Sequence, residues 1–240
     1  MAYGLKTKNN NGAIQIDSTY RNLSLDESGA GITVTNDNGS PTYYTTLITI
    51  ASSPLVPLML IRPNTDRFLS VRSYQQTGNN FSGINLMTEA SLSGSISTTI
   101  DWKNYRENRT ASGESYGLLV YNDSGKLCFD SGKSYFKIHS VSTINLGVPS
   151  VTTGPYIDIT HSGISNPFYI LTPSSFYVTP RPISTIPPRV FQQYNWTVGV
   201  KKLTSTSVRV GWFTYFTVLL GGGFVAEGYN PTLKLLVCEP

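Results

Sequence analysis

Two stretches of this 240-residue chain say nearly the same thing. Residues 3–18 read YGLKTKNNNGAIQIDS and residues 116–131 read YGLLVYNDSGKLCFDS. Without gaps, Tyr3, Gly4, Leu5, Asn9, Gly12, Asp17 and Ser18 fall on Tyr116, Gly117, Leu118, Asn122, Gly125, Asp130 and Ser131. Each copy alternates apolar and polar residues after a turn rich in Asn and closed by Gly, the pattern of strand, turn and strand. In the second copy Leu127 and Phe129 alternate with Lys126, Cys128 and Asp130, and in the first Ile14 and Ile16 alternate with Ala13, Gln15 and Asp17. Gly12 and Gly125 are placed to supply the positive φ that closes such a hairpin. A structural unit used twice, about one domain length apart, predicts two tandem β domains, each opening with its own hairpin.

The segments after each copy support an all-β chain. Strand-like runs follow the first at 30–35, 42–50, 56–62, 67–74, 82–87 and 95–102, and the second at 134–141, 155–160, 167–171, 175–179, 195–203, 207–220 and 232–238. Gly, Pro, Asn or Ser separates them, and such spacing points to a sandwich or barrel. The polar stretch KNYRENRTASGE has no hydrophobic period and reads as a linker. The expected division is therefore a β-sandwich-like domain over 1–102, a linker over 103–114 and a second domain over 115–240, with one large sandwich as the alternative. TPRPISTIPPR, residues 179–189, resists a central strand and reads as an extended surface loop near polyproline II.

Only 13% of residues are Asp, Glu, Lys or Arg, against roughly 25% in an average soluble domain. Polarity comes from Ser, Thr, Asn, Gly and Tyr, a mixture that suits pleated surfaces and turns and often marks an exposed structural or adhesive surface. A net charge of +4 invites an anionic partner, yet no basic run exceeds Lys201-Lys202, and nucleic-acid binding needs clustered charge. MAYGLKTKNNNG carries no apolar signal core, and the apolar FTVLLGGGFVA is too short and glycine-broken to span a bilayer. The expectation is a chain made in a cytoplasm, without export by the usual route and without membrane insertion. The sequons at Asn22 and Asn195 then carry no meaning.

Chemistry is hard to assemble from this sequence. Metal sites need converging ligands, and the chain has His139, His161, Cys128 and Cys238 beyond its carboxylates. The two cysteines read as reduced core thiols, with a bridge between them left open. Asp158 and His161 are three apart, which on a strand puts them on opposite faces. Asp66, Glu89 and Asp101 have no distinguishing context as a glycosidase pair. LLGGGFVAEG, residues 219–228, lacks the Lys-Ser/Thr of a phosphate loop and reads as a hairpin tip. No catalytic residue, cofactor or metal is expected. Aromatics are in surplus instead: Trp102 and Tyr105 flank the linker, Tyr194 and Trp196 follow the proline loop, and Trp212 crowds a late strand with Phe213, Tyr215 and Phe216. These rings either fill a core or form an interface or sugar-stacking surface.

With TYRNLSL following the first copy, the duplicated YGL, Asn-x-x-Gly and Asp-Ser pattern resembles a family of small virion-associated proteins of tailed bacteriophages, the tail, tail-tip or fibre-associated structural proteins. The resemblance implies a non-enzymatic virion component, assembled in the host cytoplasm as a homo-oligomer with other virion proteins. It brings no functional residues, because the shared positions read as turn-formers and strand-enders. A receptor- or carbohydrate-binding virion protein that contacts a host glycan or protein is the second reading, with capsid decoration as its variant. A polysaccharide depolymerase is the third.

Overall fold

The computed structural model describes residues 6–8, 14–17, 22–37, 46–89, 95–107, 110–150, 154–172, 176–182, 190–221, 227–229 and 232–240. Among these there is no helix, so none is long and apolar enough to cross a membrane. The chain is all-β, with sandwich-like pairs of sheets. In order, the strands are β1 (Lys6–Lys8), β2 (Ile14–Asp17), β3 (Leu23–Asp37), β4 (Thr46–Ser53), β5 (Leu58–Pro63), β6 (Leu69–Thr77), β7 (Asn80–Thr88), β8 (Ser95–Glu107) and β9 (Leu119–Tyr121). They continue with β10 (Leu127–Asp130), β11 (Ile138–Ile144), β12 (Tyr156–Thr160), β13 (Phe168–Thr172), β14 (Phe176–Pro182), β15 (Val190–Lys202), β16 (Ser207–Gly221), β17 (Glu227–Tyr229) and β18 (Leu233–Cys238).

Both copies of the repeated sequence form hairpins, and the two are the same hairpin. In the first, Lys6 pairs with Asp17, Thr7 with Ile16 and Lys8 with Ile14. In the second, Leu119 pairs with Asp130, Val120 with Phe129 and Tyr121 with Leu127. Position for position the register is identical, including a register shift at the equivalent step of each.

Four shared residues of the second copy, Asn122, Gly125, Asp130 and Ser131, shape the hairpin locally. The Asn122 side chain accepts from the backbone N–H groups of Ser124 and Lys126 at 3.1 and 2.8 Å, and Gly125 closes the turn at φ 71°. Such Asn-seeded turns give the backbone a partner where the strands end. Ser131 Oγ accepts from the N–H of Leu118 at 2.7 Å. The buried Asp130 accepts from Ser112 N at 2.6 Å, Ser112 Oγ at 3.1 Å and Gly132 N at 2.8 Å. Burial raises its pKa, but these hydrogen bonds outweigh burial and hold the carboxyl below its ordinary value. In the first copy, Asn9, Gly12 and Ser18 lie outside the described residues.

The remaining strands form a six-stranded sheet, in the order β11-β18-β13-β5-β8-β3, and an eight-stranded one, whose main path is β12-β16-β15-β6-β7-β4. Here the duplication runs deeper than the hairpins. Outward from the middle, the first half of the chain supplies β5-β8-β3 to one sheet and β6-β7-β4 to the other. The second half supplies β13-β18-β11 and β15-β16-β12. Matching β3 to β11, β4 to β12, β5 to β13, β6 to β15, β7 to β16 and β8 to β18 reproduces the same order in both halves, with β14 and β17 as an addition to the second. The halves are joined in each sheet through one antiparallel pair, Tyr169 with Ile61 in the first and Val200 with Leu69 in the second.

This joining changes the expected domain division. Edge strands present unpaired backbone groups, and β5 meets β13, and β6 meets β15, at one ladder pair each. The two halves therefore contribute strands to the same two sheets. The compact units are discontinuous: residues 1–28, 55–59 and 103–137 form one, which holds both hairpins, and residues 29–54, 60–102 and 138–240 form the other. Within the first unit β2 lies beside β10, and an antiparallel bridge joins Ser24 to Tyr135.

Two further expectations are corrected. Residues 103–107 of the expected linker are the end of β8, where Asn104, Tyr105 and Arg106 are buried. Arg106 is paired there, with Asp26 Oδ2 accepting from its guanidinium at 2.6 Å. In the proline-rich stretch, 179–182 belong to β14 and pair with β15, Pro180 opposite Gln193 and Pro182 opposite Phe191. Among the described residues β17 pairs with the other side of β14 at Phe176, Tyr177 and Val178. Residues 183–189 and the glycines at 222 and 223 lie outside the described residues.

Beside the Tyr169–Ile61 junction, Arg62 and Asp101 form a dense polar knot. Asp101 Oδ2 accepts from Arg62 Nε at 3.0 Å and from its terminal nitrogen at 2.5 Å, while Oδ1 accepts from Gly31 N at 2.8 Å and Asn64 Nδ2 at 2.9 Å. Arg62 also donates to the Asn166 carbonyl at 3.0 Å and lies 4.5 Å from the centre of the Phe168 ring. Burial favours the neutral acid, but the bonds from Arg62, Asn64 and Gly31 and the charge of Arg62 hold the Asp101 pKa below its ordinary value. Asp101→Asn should lower unfolding free energy by about 2–3 kcal/mol, since it weakens several charge-assisted bonds at once. Urea denaturation at pH 7 measures this. The wild-type advantage should shrink as pH falls through and below 3.8, where the unfolded carboxyl takes up its proton before the folded one does.

Candidate functional site

The five rings picked out by sequence are core residues. Trp102, Tyr105, Tyr194, Trp196 and Trp212 are all 7% exposed or less, so none offers a sugar-stacking platform on the folded chain. Each is placed by its strand. Thr98, Ile100 and Trp102 alternate inward along β8, and the Trp102 indole lies where a Cβ on Gly29 would stand. Tyr105 meets Phe136 edge-on at 5.7 Å, and Tyr194 lies 6.4 Å from Trp196. Trp212 follows Val208 and Val210 on the inward face of β16, and its Nε1 donates to the Gly147 carbonyl at 2.8 Å. Residues 194–200 of β15 are buried on both faces, which absorbs the aromatic surplus there. Asn195, the acceptor of one sequon, is itself buried.

The exposed chemistry lies on the other face of the eight-stranded sheet, at its β12 edge. Tyr156 and Asp158 are two apart on β12 and share a face. The register sets Tyr156 opposite Gly211 and Asp158 opposite Arg209, and sets Arg209 opposite Lys201 on β15. The Arg209 guanidinium grips Asp158 through two bonds, Nε to Oδ1 at 2.6 Å and a terminal nitrogen to Oδ2 at 2.8 Å. It also lies 3.7 Å from the centre of the Tyr156 ring. Gly211 is needed beneath: a Cβ there would come within 2.6 Å of Tyr156 Cβ.

One strand further in, Lys201 Nζ sits 4.9 Å above the Phe68 ring, and Phe68 stacks on Phe213 at 5.7 Å with the rings 5° from parallel. The hydrogen bonds from Arg209 hold Asp158 ionised well below the ordinary range, against a smaller opposing effect of burial and with help from the charges of Arg209 and Lys201. The result is a half-exposed tyrosine ring beside a rigid, planar array of donors and acceptors, with two cations to one carboxylate. A ring that stacks on apolar C–H surface, next to groups that bind hydroxyls or an acid in pairs, can hold an acidic sugar.

Of the carboxylates considered for hydrolysis, two are engaged with cationic partners and Asp66 lies exposed on the surface. Asp101 is saturated in the polar knot, and Glu89 pairs with Arg67 at 3.1 Å. Among the described residues no three His, Cys, Asp or Glu side chains converge as a metal site. Asp158 and His161 serve different neighbours: Nε2 of the buried His161 lies 3.3 Å from the Tyr169 hydroxyl. Cys128 and Cys238 are both buried and unbridged, and burial pushes the Cys238 thiol up to about 12. One open cavity of about 350 Å³ is lined by His139, Gly163, Ser165 and Glu239, and another of about 270 Å³ by Ser112, Glu114, Tyr116 and Asp130.

The Tyr156 cluster escaped the sequence reading because its signal is split. YIDIT announces Tyr156 and Asp158 on one face, but Arg209 lies 51 residues away, and only the β12–β16 register brings it alongside. No protein-family model matches the chain, and neither a curated protein nor a solved structure is similar to it.

Burial pushes the His161 pKa below its ordinary 6.5, and the nearby charge of His139 adds to the effect. Its unfolded form therefore takes up a proton first as pH falls. The stability conferred by the neutral ring is complete above that value and lost below it. The urea midpoint should drop between pH 7.5 and 5.5, and His161→Gln should flatten the drop. An equal slope in the variant would assign the pH dependence to other groups.

Proposed function

We propose that this chain is a non-enzymatic structural component of a tailed-bacteriophage particle, placed at the tail tip or fibre apparatus and assembled there with other virion proteins and with copies of itself. The observation that carries the reading is the duplicated hairpin. The motif that resembles the virion-associated family occurs twice as one structure, with identical register. In the second copy its Asn, Gly, Asp and Ser positions make the turn and end strands, which fits a scaffold. The engaged carboxylates at Asp101 and Glu89 fit the same reading.

Immunogold labelling of particles of the phage that encodes the chain is the direct test, with gold expected at the distal tail. Label over the head would make the chain a decoration protein, and particles without label would remove it from the virion.

The Tyr156 cluster favours a second role on the same particle, the capture of an acidic host glycan. Purified chain should bind immobilised polyuronate in preference to neutral dextran. Tyr156→Ala or Arg209→Gln should lower that affinity at least tenfold, since losing a stacked ring or a paired charge contact costs about 1.5–3 kcal/mol. Equal retention on both polymers would eliminate the role.

A further inference from the structure

The two hairpins provide an internal control for each other. They share register and bulge position, and lie in one compact unit with β2 beside β10. Among the described residues β1 and β9 each pair only with their own hairpin partner. Their equivalent positions differ in one respect. Where β1 has Lys6 and Lys8, β9 has Leu119 and Tyr121.

Lysine on an edge strand is a common device against pairing with another chain. β9 has no such guard. The run Tyr116 to Tyr121, YGLLVY, contains no charged residue. Tyr116 is 93% exposed, Leu119 43% and Tyr121 49%, whereas Val120 between them is buried. A short, uncharged, β-prone run with an open edge is the kind of surface that strands add to.

We propose that β9 is a self-association edge, pairing antiparallel with β9 of a second copy about a two-fold axis at Val120. In that register Leu119 of one copy faces Tyr121 of the other in both directions, so the two exposed apolar side chains of β9 each meet an apolar one. Charge selects this partner. Adding β1 of a second copy to β9 would set charged Lys6 and Lys8 against Leu119 and Tyr121, which offer no counter-charge. The contact is therefore isologous and closes as a dimer, with no filament. It deepens the proposed self-assembly and rests on that reading for the choice of partner.

Three-residue strands bury far less than the roughly 1,200 Å² of a stable interface, so the dimer should be weak, with Kd in the range of about 10 μM to 1 mM. Light scattering and sedimentation equilibrium across that range should give a mass rising from 26.3 kDa towards twice that value. Leu119→Lys with Tyr121→Lys should stay monomeric throughout with an unchanged urea midpoint, since the first hairpin holds the same register with lysine at both positions. The converse variant, Lys6→Leu with Lys8→Tyr, opens a second edge and should raise the mass beyond the dimer. A wild-type chain that stays monomeric overturns both the edge and the self-assembly reading. Wild-type association that survives the double lysine variant overturns the edge alone, as would a converse variant with the wild-type mass.

Discussion

The two sheets depend on how their halves are held together. In the six-stranded sheet β13 meets β5 through Tyr169 and Ile61 alone, and one ladder pair is a weak seam. Arg62 reinforces it. Its guanidinium is fixed on one side by Asp101, which also gathers Gly31 from β3 and Asn64 beyond β5, and on the other reaches the Asn166 carbonyl and the Phe168 ring. A single planar cation with several donors suits this position, and a lysine would not supply the fork. The eight-stranded sheet is sealed by close approach instead. Gly199 lets β6 come so near that a Cβ there would lie 2.5 Å from the Leu69 carbonyl oxygen.

Joining the halves also decides where binding chemistry is found. Once β15 and β16 lie in the middle of a continuous sheet, Trp196, Tyr194 and Trp212 are enclosed and serve as core. Polar and charged residues are displaced to β12, which has a neighbour on one side only. Tyr156, Asp158, Arg209 and Lys201 meet there because cross-strand neighbours on one face of a sheet are brought within side-chain reach. The first half has its own outer strand at the corresponding place, β4, where the register sets Leu47 opposite Asn85 and Thr49 opposite Gly83. The common topology thus presents different surfaces at its two ends.

Much of the fold was legible along the chain. Period-two alternation located nearly every strand, because a half-buried strand must alternate, and Gly, Pro and Asn marked the breaks. The hairpins were legible down to the glycine at position 125. Residues 103–107 were misread, since a polar run with no apolar period resembles a linker whenever its ion pairs are invisible; Asp26 and Arg106 lie 80 residues apart. The start of the proline-rich stretch was misread because residues 179–182 continue β14 and pair with β15 despite their two prolines. Of the candidate site, YIDIT was visible and its partners were not.

The sequence by itself determined that the chain would be built of strands, that one two-stranded unit would occur twice, and that helices would be absent from the described residues. These are local consequences of side-chain shape, turn chemistry and spacing. The tertiary structure alone decided that the halves share their sheets, that the tryptophans turn inward and that Arg209 grips Asp158. The physical reason is that edge pairing and cross-strand register are long-range contacts. Nothing within reach of a residue along the chain states which distant strand will satisfy its backbone.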